Sequence, residues 1–147
     1  MPEVQLTLDI AAPADRVWAA VVDIERYPES MKNVRWVEIR EQLGDDKRHT
    51  AWSIVLKGSI LEWEEHEHVD HDARVMSFKQ ISGDLEVFDG RWVVEERGET
   101  LTTVSFEVVF EIGIPLLADM LNPVAKRSLR ENSIDMLRGV ERQAIAA

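Results

Sequence analysis

Glu65 and Glu67 stand two residues apart in the run Leu61-Glu62-Trp63-Glu64-Glu65-His66-Glu67-His68-Val69. In an extended strand that spacing puts both carboxylates on one face, with Leu61, Trp63 and Val69. A carboxylate shielded beside an indole has its pKa raised and can remove an acidic proton, such as one between two carbonyls. The plainer reading of the same acidic run is a solvated strand face or rim. Two more polar residues stand where apolar ones are expected. On a helix turning about 100° per residue, Leu117, Leu121, Val124, Ala125, Leu129 and Met136 fall on one side, and Lys126, Arg130 and Glu141 on the other. Ser128 and Asn132 lie one turn apart in the middle of the apolar side. A buried hydroxyl or amide without a partner costs about 1–3 kcal/mol. This face is therefore expected to meet something polar or wet, such as a cavity, unless both side chains bond to strands or backbone carbonyls. Arg74 heads the alternating series Arg74, Met76, Phe78, Gln80 and is the candidate inward cation.

His66 and His68 share the opposite face of the acidic strand, and His71 follows between Asp70 and Asp72. A His-x-His pair near carboxylates can hold zinc or copper. An outward face and an acidic hairpin are equally what a soluble sheet edge looks like, and no metal site is assigned. Phosphate-loop, Ser-His-Asp and dinucleotide patterns are missing from the sequence, and no cofactor is expected.

The elements that must position these residues are legible from periodicity. Val4, Leu6, Leu8 and Ile10 alternate as a strand with one buried face. Ala11 to Asp15 turns it into a short helix carrying Val17, Trp18, Val21 and Val22, and Tyr27-Pro28 closes that helix and starts a second short helix or turn. Six strand-like runs follow: 35–42, 48–56, 59–69, 74–81, 86–96 and 101–112. Their separators, among them Gly44-Asp45-Asp46, Lys57-Gly58 and Ser82-Gly83-Asp84, carry the Gly and Asp that hairpins need. A long amphipathic helix from about Leu116 to Ile145 ends the chain. The spacing predicts an α+β helix-grip fold: a curled seven-stranded antiparallel sheet around a helix of roughly 45 Å. One domain over 1–147 is expected.

Alternation also names the inward walls: Trp52, Ile54 and Leu56; Met76 and Phe78; Phe88, Gly90 and Trp92; Val104, Phe106, Val108 and Phe110. On aromatic content alone they either fill a solid core or line a cavity. The composition, 45% hydrophobic and 31% charged, is that of an ordinary globular chain. No cysteine is present, which excludes disulfide and thiolate chemistry. A net charge of −11 argues against nucleic acid and anionic membrane surfaces as partners. Neither a signal peptide nor an apolar stretch near 18 residues is seen, so a cytoplasmic location is the default expectation.

Several short motifs carry a family likeness: Ala12-Pro13 with Arg16-Val17-Trp18, then Asp23-Ile24-Glu25-Arg26-Tyr27-Pro28-Glu29, Leu61-Glu62-Trp63 and Arg130-Glu131-Asn132. Over nearly the whole chain they resemble the START-related helix-grip superfamily (SRPBCC type), nearest to its polyketide cyclase/dehydrase branch. The resemblance implies a deep apolar cavity between sheet and helix that takes polyketides, lipids, quinones or other flat hydrophobic molecules. Its expected lining is Trp52, Ile54, Leu61, Trp63, Met76, Phe78, Gln80, Phe88, Trp92, Val104, Phe106, Val108, Leu117, Leu121 and Val124. Cyclases of this branch present arginines to ketone oxygens, and the chain departs from them at Glu67 and Gln80, where arginines are common. Glu65 or Glu67 as base, with Arg74, Ser128 and Asn132 as donors, would then drive aldol cyclisation and dehydration of a poly-β-ketone presented by an acyl carrier protein. The alternative is a non-catalytic carrier of a lipid, quinone or polyene, bound by the aromatic walls alone.

Overall fold

The computed structural model describes residues 2–56, 58–111 and 115–146, the side chains of 59 and 115–122 excepted. Strand β1 (Glu3–Ile10) is followed by helix α1 (Ala14–Val22), a 3-10 turn (Ile24–Arg26) and the single-turn helix α2 (Tyr27–Ser30). A meander follows of β2 (Val34–Gln42), β3 (Lys47–Leu56), β4 (Ser59–Asp70), β5 (Val75–Gly83), β6 (Val87–Gly98) and β7 (Leu101–Glu111), and helix α3 (Pro115–Ala146) closes the chain. The expected helix-grip architecture is the observed one.

All seven strands form one sheet in the order β1-β7-β6-β5-β4-β3-β2, every neighbouring pair antiparallel. β1 and β2 are thus the two edges, and α1 and α2 carry the chain from one to the other. Pro13 starts α1, where its missing N–H is harmless, and the helix buries Val17, Trp18 and Val21 at helical spacing. Tyr27 is fully buried at the start of α2; its hydroxyl donates to the Val21 carbonyl (2.5 Å), and its ring packs edge-on against Trp52 and Trp92. Tyr27-Pro28 thus closes α1 and opens α2, as its residues predict, and its ring packs in the core.

Two glycines permit close approach. A Cβ on Gly90 would lie 2.2 Å from the Glu107 carbonyl and 2.7 Å from Cζ of Phe78. Its absence lets the Phe78 ring lie across the middle of β6. At Gly139 a Cβ would meet Met31 Cγ at 2.4 Å, so α3 can sit directly on the end of α2.

On α3 the buried side chains are Ser128, Leu129, Asn132, Ser133, Met136, Leu137, Val140 and Ala144. This arc corrects one expectation. Val124 is 56% exposed, because about 100° per residue places it roughly 160° from the arc's centre near Leu129 and Ser133. Ser128 and Asn132 accordingly sit towards one edge of the buried face rather than at its middle. Leu117 and Leu121, also expected at the lining, have side chains outside the described residues.

Candidate functional site

The antiparallel register builds the site row by row. Across β3 and β4, Trp52 faces Trp63, Thr50 faces Glu65, and Arg48 faces Glu67. Across β4 and β5, Glu65 faces Gln80 and Glu67 faces Phe78. Phe78 in turn faces Gly90, and Met76 faces Trp92. All the first-named residues have inward parity, so carboxylates, a guanidinium and aromatic rings share one concave patch under α3.

Trp52, Ile54, Trp63, Glu65, Glu67, Met76, Phe78, Phe88, Trp92 and Phe106 from the sheet enclose a cavity with Leu129, Asn132, Ser133 and Met136 from α3. Its volume is about 30 Å³, room for about two water molecules. The deep cavity implied by family likeness is therefore drawn nearly shut by its own walls. Trp52 and Trp63 stack at 5.9 Å and 4°, Trp92 and Phe106 stack at 4.8 Å, and Phe88 bridges Trp63 and Phe78 at 5.2 and 5.5 Å.

The polar end of the cavity is a connected network. Glu65 and Glu67 are each 2% exposed, which rules out the solvated rim that their acidic run also allowed. Arg48, itself buried, donates from Nε (3.0 Å) and Nη2 (2.6 Å) to Oε1 of Glu67, and from Nη1 to the Val22 carbonyl (3.0 Å). Thr50 Oγ1 donates to Oε2 of Glu67 (3.2 Å) and accepts from Trp52 Nε1 (2.9 Å). Trp63 Nε1 donates to Oε1 of Glu65 (2.7 Å). Burial first, then the charge of Glu67, holds the Glu65 carboxyl well above the usual carboxylate range, against the pull of the Trp63 hydrogen bond. Burial raises Glu67 as well, opposed by the charge and hydrogen bonds of Arg48. Tyr27, whose buried hydroxyl is raised by burial and then by the Glu67 charge, stays neutral behind the network.

At the helix side, Asn132 Oδ1 and Ser128 Oγ are buried with no hydrogen-bond partner among the described residues. Among the described residues the strand or carbonyl bonds that would have made them ordinary core groups are not formed; Asn132 Nδ2 lies 3.5 Å from Met136 Sδ. Ser133, by contrast, is satisfied by the Leu129 carbonyl (2.7 Å).

Other candidates lie elsewhere. Arg74 occupies the β4–β5 turn with φ of 54°, and its guanidinium pairs with Asp15 at 2.6 Å on the surface. A left-handed turn residue falls outside the strand's alternation, which is why parity misplaced it. Gln80 is half-buried and donates to the Leu85 carbonyl; it does not line the cavity. Next to it a bulge leaves Ile81 as the extra residue opposite Glu64 and Glu65, exposed to solvent. Leu61, Val104 and Val108 pack in the core beyond the cavity wall. His71 accepts from Trp18 Nε1 (3.0 Å), while His66 packs on His49 and His68 meets Asp46 (3.1 Å) on the outer face. Among the described residues no three His, Asp or Glu side chains are grouped to hold a metal.

Sequence reasoning missed Arg48 and Thr50. The signal was available: carrying the inward series Trp52, Ile54, Leu56 back two steps along β3 reaches Thr50 and then Arg48. Leu129, Ser133 and Met136 follow likewise from centring the buried arc of α3.

Fold and site together define a helix-grip protein with an internal aromatic cavity. Residues 10–137 match the family model "Polyketide cyclase / dehydrase and lipid transport", and the chain belongs to that family. Among solved structures it is similar to TTHA0849 from Thermus thermophilus (28% identity, 99% of this chain and 98% of that one, TM-score 0.92). It has the same fold as the Zhui aromatase/cyclase from Streptomyces sp. R1128 (21% identity, 97% and 93%, TM-score 0.86). The fold is shared again by a START superfamily protein from Mycobacterium smegmatis (19% identity, 96% and 97%, TM-score 0.81). No curated protein sequence matches the chain. No described helix is long and apolar enough to cross a membrane.

Proposed function

We propose that the protein binds a flat, largely apolar molecule bearing ketone and hydroxyl oxygens between the sheet and α3. On such a molecule it acts as a polyketide cyclase/aromatase-like enzyme, promoting aldol cyclisation and dehydration of a poly-β-ketone. The observation that carries this reading is the pair of buried carboxyl groups, Glu65 and Glu67, set among aromatic rings in one cavity wall. A buried acid of raised pKa is suited to proton transfer near neutral pH, and rings suit the faces of a planar substrate. Asn132 Oδ1, without a partner among the described residues, is the acceptor that a ligand hydroxyl would satisfy. A two-ring ligand exceeds the present volume, so binding must part rings that now touch.

A second reading, a non-catalytic carrier of a lipid, quinone or polyene, has one observation in its favour. The guanidinium of Arg48 is committed to Glu67 and Val22, which leaves no free cation in the described cavity wall to hold an enolate. The enzymatic reading includes an acyl carrier protein as the presenter of substrate; exposed Lys126, Arg127 and Arg130, beside cavity residues Leu129 and Asn132 on α3, suit the phosphodiester of its arm. We place the protein in the cytoplasm, as one ligand-binding domain over 1–147.

Native mass spectrometry of protein from its own host, with extraction of any bound molecule, tests both readings. A polyketide or aromatic product supports the enzyme and supplies the substrate for a turnover assay; a lipid or quinone supports the carrier. With that substrate, Glu65→Gln is expected to keep affinity and lose turnover. A loss of affinity alone would favour the carrier.

A further inference from the structure

We propose that Glu65 is the group that carries and delivers the proton in this cavity, and that Glu67 is a permanent carboxylate which Arg48 and Thr50 hold in place beside it. The inference deepens the enzymatic reading above and rests on it for its catalytic half.

The donors fix where the proton sits. An indole N–H can only donate, and so can a guanidinium. Trp63 Nε1 therefore makes Oε1 of Glu65 an acceptor, leaving Oε2 as the oxygen that can bear a proton. On Glu67, Oε1 receives two Arg48 N–H groups. The direction at Oε2 is set from further back: Trp52 donates to Thr50, which leaves the Thr50 hydroxyl hydrogen free to point at Glu67. Glu67 thus has a donor on each oxygen, an arrangement that favours its ionised form over that of Glu65. Among the described residues Glu65 has one donor, Trp63, and from two positions along β4 it faces the Glu67 carboxylate on the same side of the strand. A carboxylic acid facing a carboxylate shares its proton in that direction.

Among the described residues, the charged and titratable groups facing Glu65 are few. Glu67 lies on its own strand, Arg48 lies behind Glu67 on β3, and Tyr27 approaches from α2. From β5 it meets neutral Gln80, and the described α3 residues at the cavity are Leu129, Asn132, Ser133 and Met136, none of them charged. Arg48 and Thr50 do not line the cavity, so they act through Glu67 as positioning residues.

The step this supports is loss of water from a β-hydroxy ketone. Glu65 gives its proton to the hydroxyl oxygen, and the C–O bond breaks with its electron pair leaving on water. The neighbouring C–H proton passes to the Glu65 carboxylate, and that bond's pair becomes the new C=C. Glu65 ends protonated, as it began, and no other reactant is consumed.

The test is a pH titration of protein labelled with carboxyl-¹³C glutamate, followed by NMR. One carboxyl resonance is expected to stay protonated through neutral pH, to vanish in Glu65→Gln, and to titrate at lower pH in Glu67→Gln, where the neighbouring charge is gone. Should Glu65→Gln not fold, Trp63→Phe serves: removing the donor to Oε1 should move that resonance to higher pH. The proposal is overturned if every glutamate is ionised at neutral pH, or if the protonated resonance survives Glu65→Gln and disappears in Glu67→Gln. An unchanged titration in Trp63→Phe would overturn it too. The catalytic half is read with 4-hydroxy-4-phenyl-2-butanone as the probe: Glu65→Gln should lower kcat at least about 10²-fold with KM little changed. Equal rates would sink that half. A protein that neither binds nor dehydrates the probe, yet shows the expected titration, would sink the enzymatic reading and leave the proton assignment standing.

Discussion

From β1 through β7 to β6 the inner face of the sheet presents Val4, Leu6, Val104, Phe106, Val108, Phe110, Trp92 and Val94, all apolar, with the buried Thr102 at its end satisfied by the Ala12 carbonyl. From β3 to β4 the same face presents Arg48, Thr50, Glu65 and Glu67 between tryptophans, all buried to a similar degree. The first region is what a sheet needs to hold a helix, and area burial accounts for it. The second is unnecessary for that purpose. A buried ion pair is often no more stabilising than apolar residues of the same shape, and unsatisfied polar atoms such as Asn132 Oδ1 cost stability outright. A polar half that the fold does not require is where the chemistry belongs.

The comparison can be broken most forcefully at the ion pair. Arg48→Met leaves Glu67 buried without its counter-charge and is expected to cost about 3–5 kcal/mol in urea unfolding. Adding Glu67→Leu should recover most of that loss. Phe110→Ala in the apolar half should cost a similar 3–5 kcal/mol, roughly, yet no second substitution nearby should restore it. If the double variant is as unstable as Arg48→Met, the polar half is structural after all.

A finer contrast lies in pH. Burial raises the Glu65 carboxyl above its ordinary value of 4.5, so the folded protein holds that proton to higher pH than the unfolded chain does. The folded state then binds more protons, so this group's contribution to stability is full below the ordinary value and is lost as pH rises towards its folded value. Glu65→Gln cannot titrate, and its unfolding free energy should fall less between pH 5 and pH 8 (conditions chosen to span that window, roughly). Parallel pH profiles for the two proteins would contradict the buried neutral acid.

Asn132→Leu should leave stability unchanged or raise it by up to about 1–3 kcal/mol, since it removes an unsatisfied oxygen, while weakening binding of 1-naphthol measured by calorimetry. Smallest of all, His68→Ala on the outer face, where the His68–Asp46 pair is half exposed on both sides, should change stability by no more than about 0.5 kcal/mol.

Much of this was readable from residue order, and the reasons differ by element. Strand parity placed Trp52, Trp63, Glu65, Glu67, Met76 and Phe78 on the cavity side because the pleat has a strict period of two. It failed at Arg74, where a positive φ ends the alternation, and at Gln80, which beside the Ile81 bulge bonds to the Leu85 carbonyl instead of lining the cavity. Helical periodicity identified the unusual polarity of Ser128 and Asn132 but centred the buried arc too far towards Val124. What no local pattern states is which inward charge meets which. The Arg48–Glu67 contact depends on the β3–β4 register, and that register is set by a hairpin distant in sequence from both side chains. The closure of the cavity is likewise a packing outcome: six rings from five strands settle against one another only in three dimensions.

The most direct measurement uses methionine methyl groups already in place. Met76 and Met136 line the cavity from opposite sides, and Met31 is buried instead where α2 meets Gly139 of α3. Methyl-¹³C NMR during titration with 1-tetralone, a planar ketone, should shift the Met76 and Met136 signals together and saturably while Met31 holds still. Unmoved Met76 and Met136 signals at the solubility limit of the ketone would contradict a ligand site between sheet and helix.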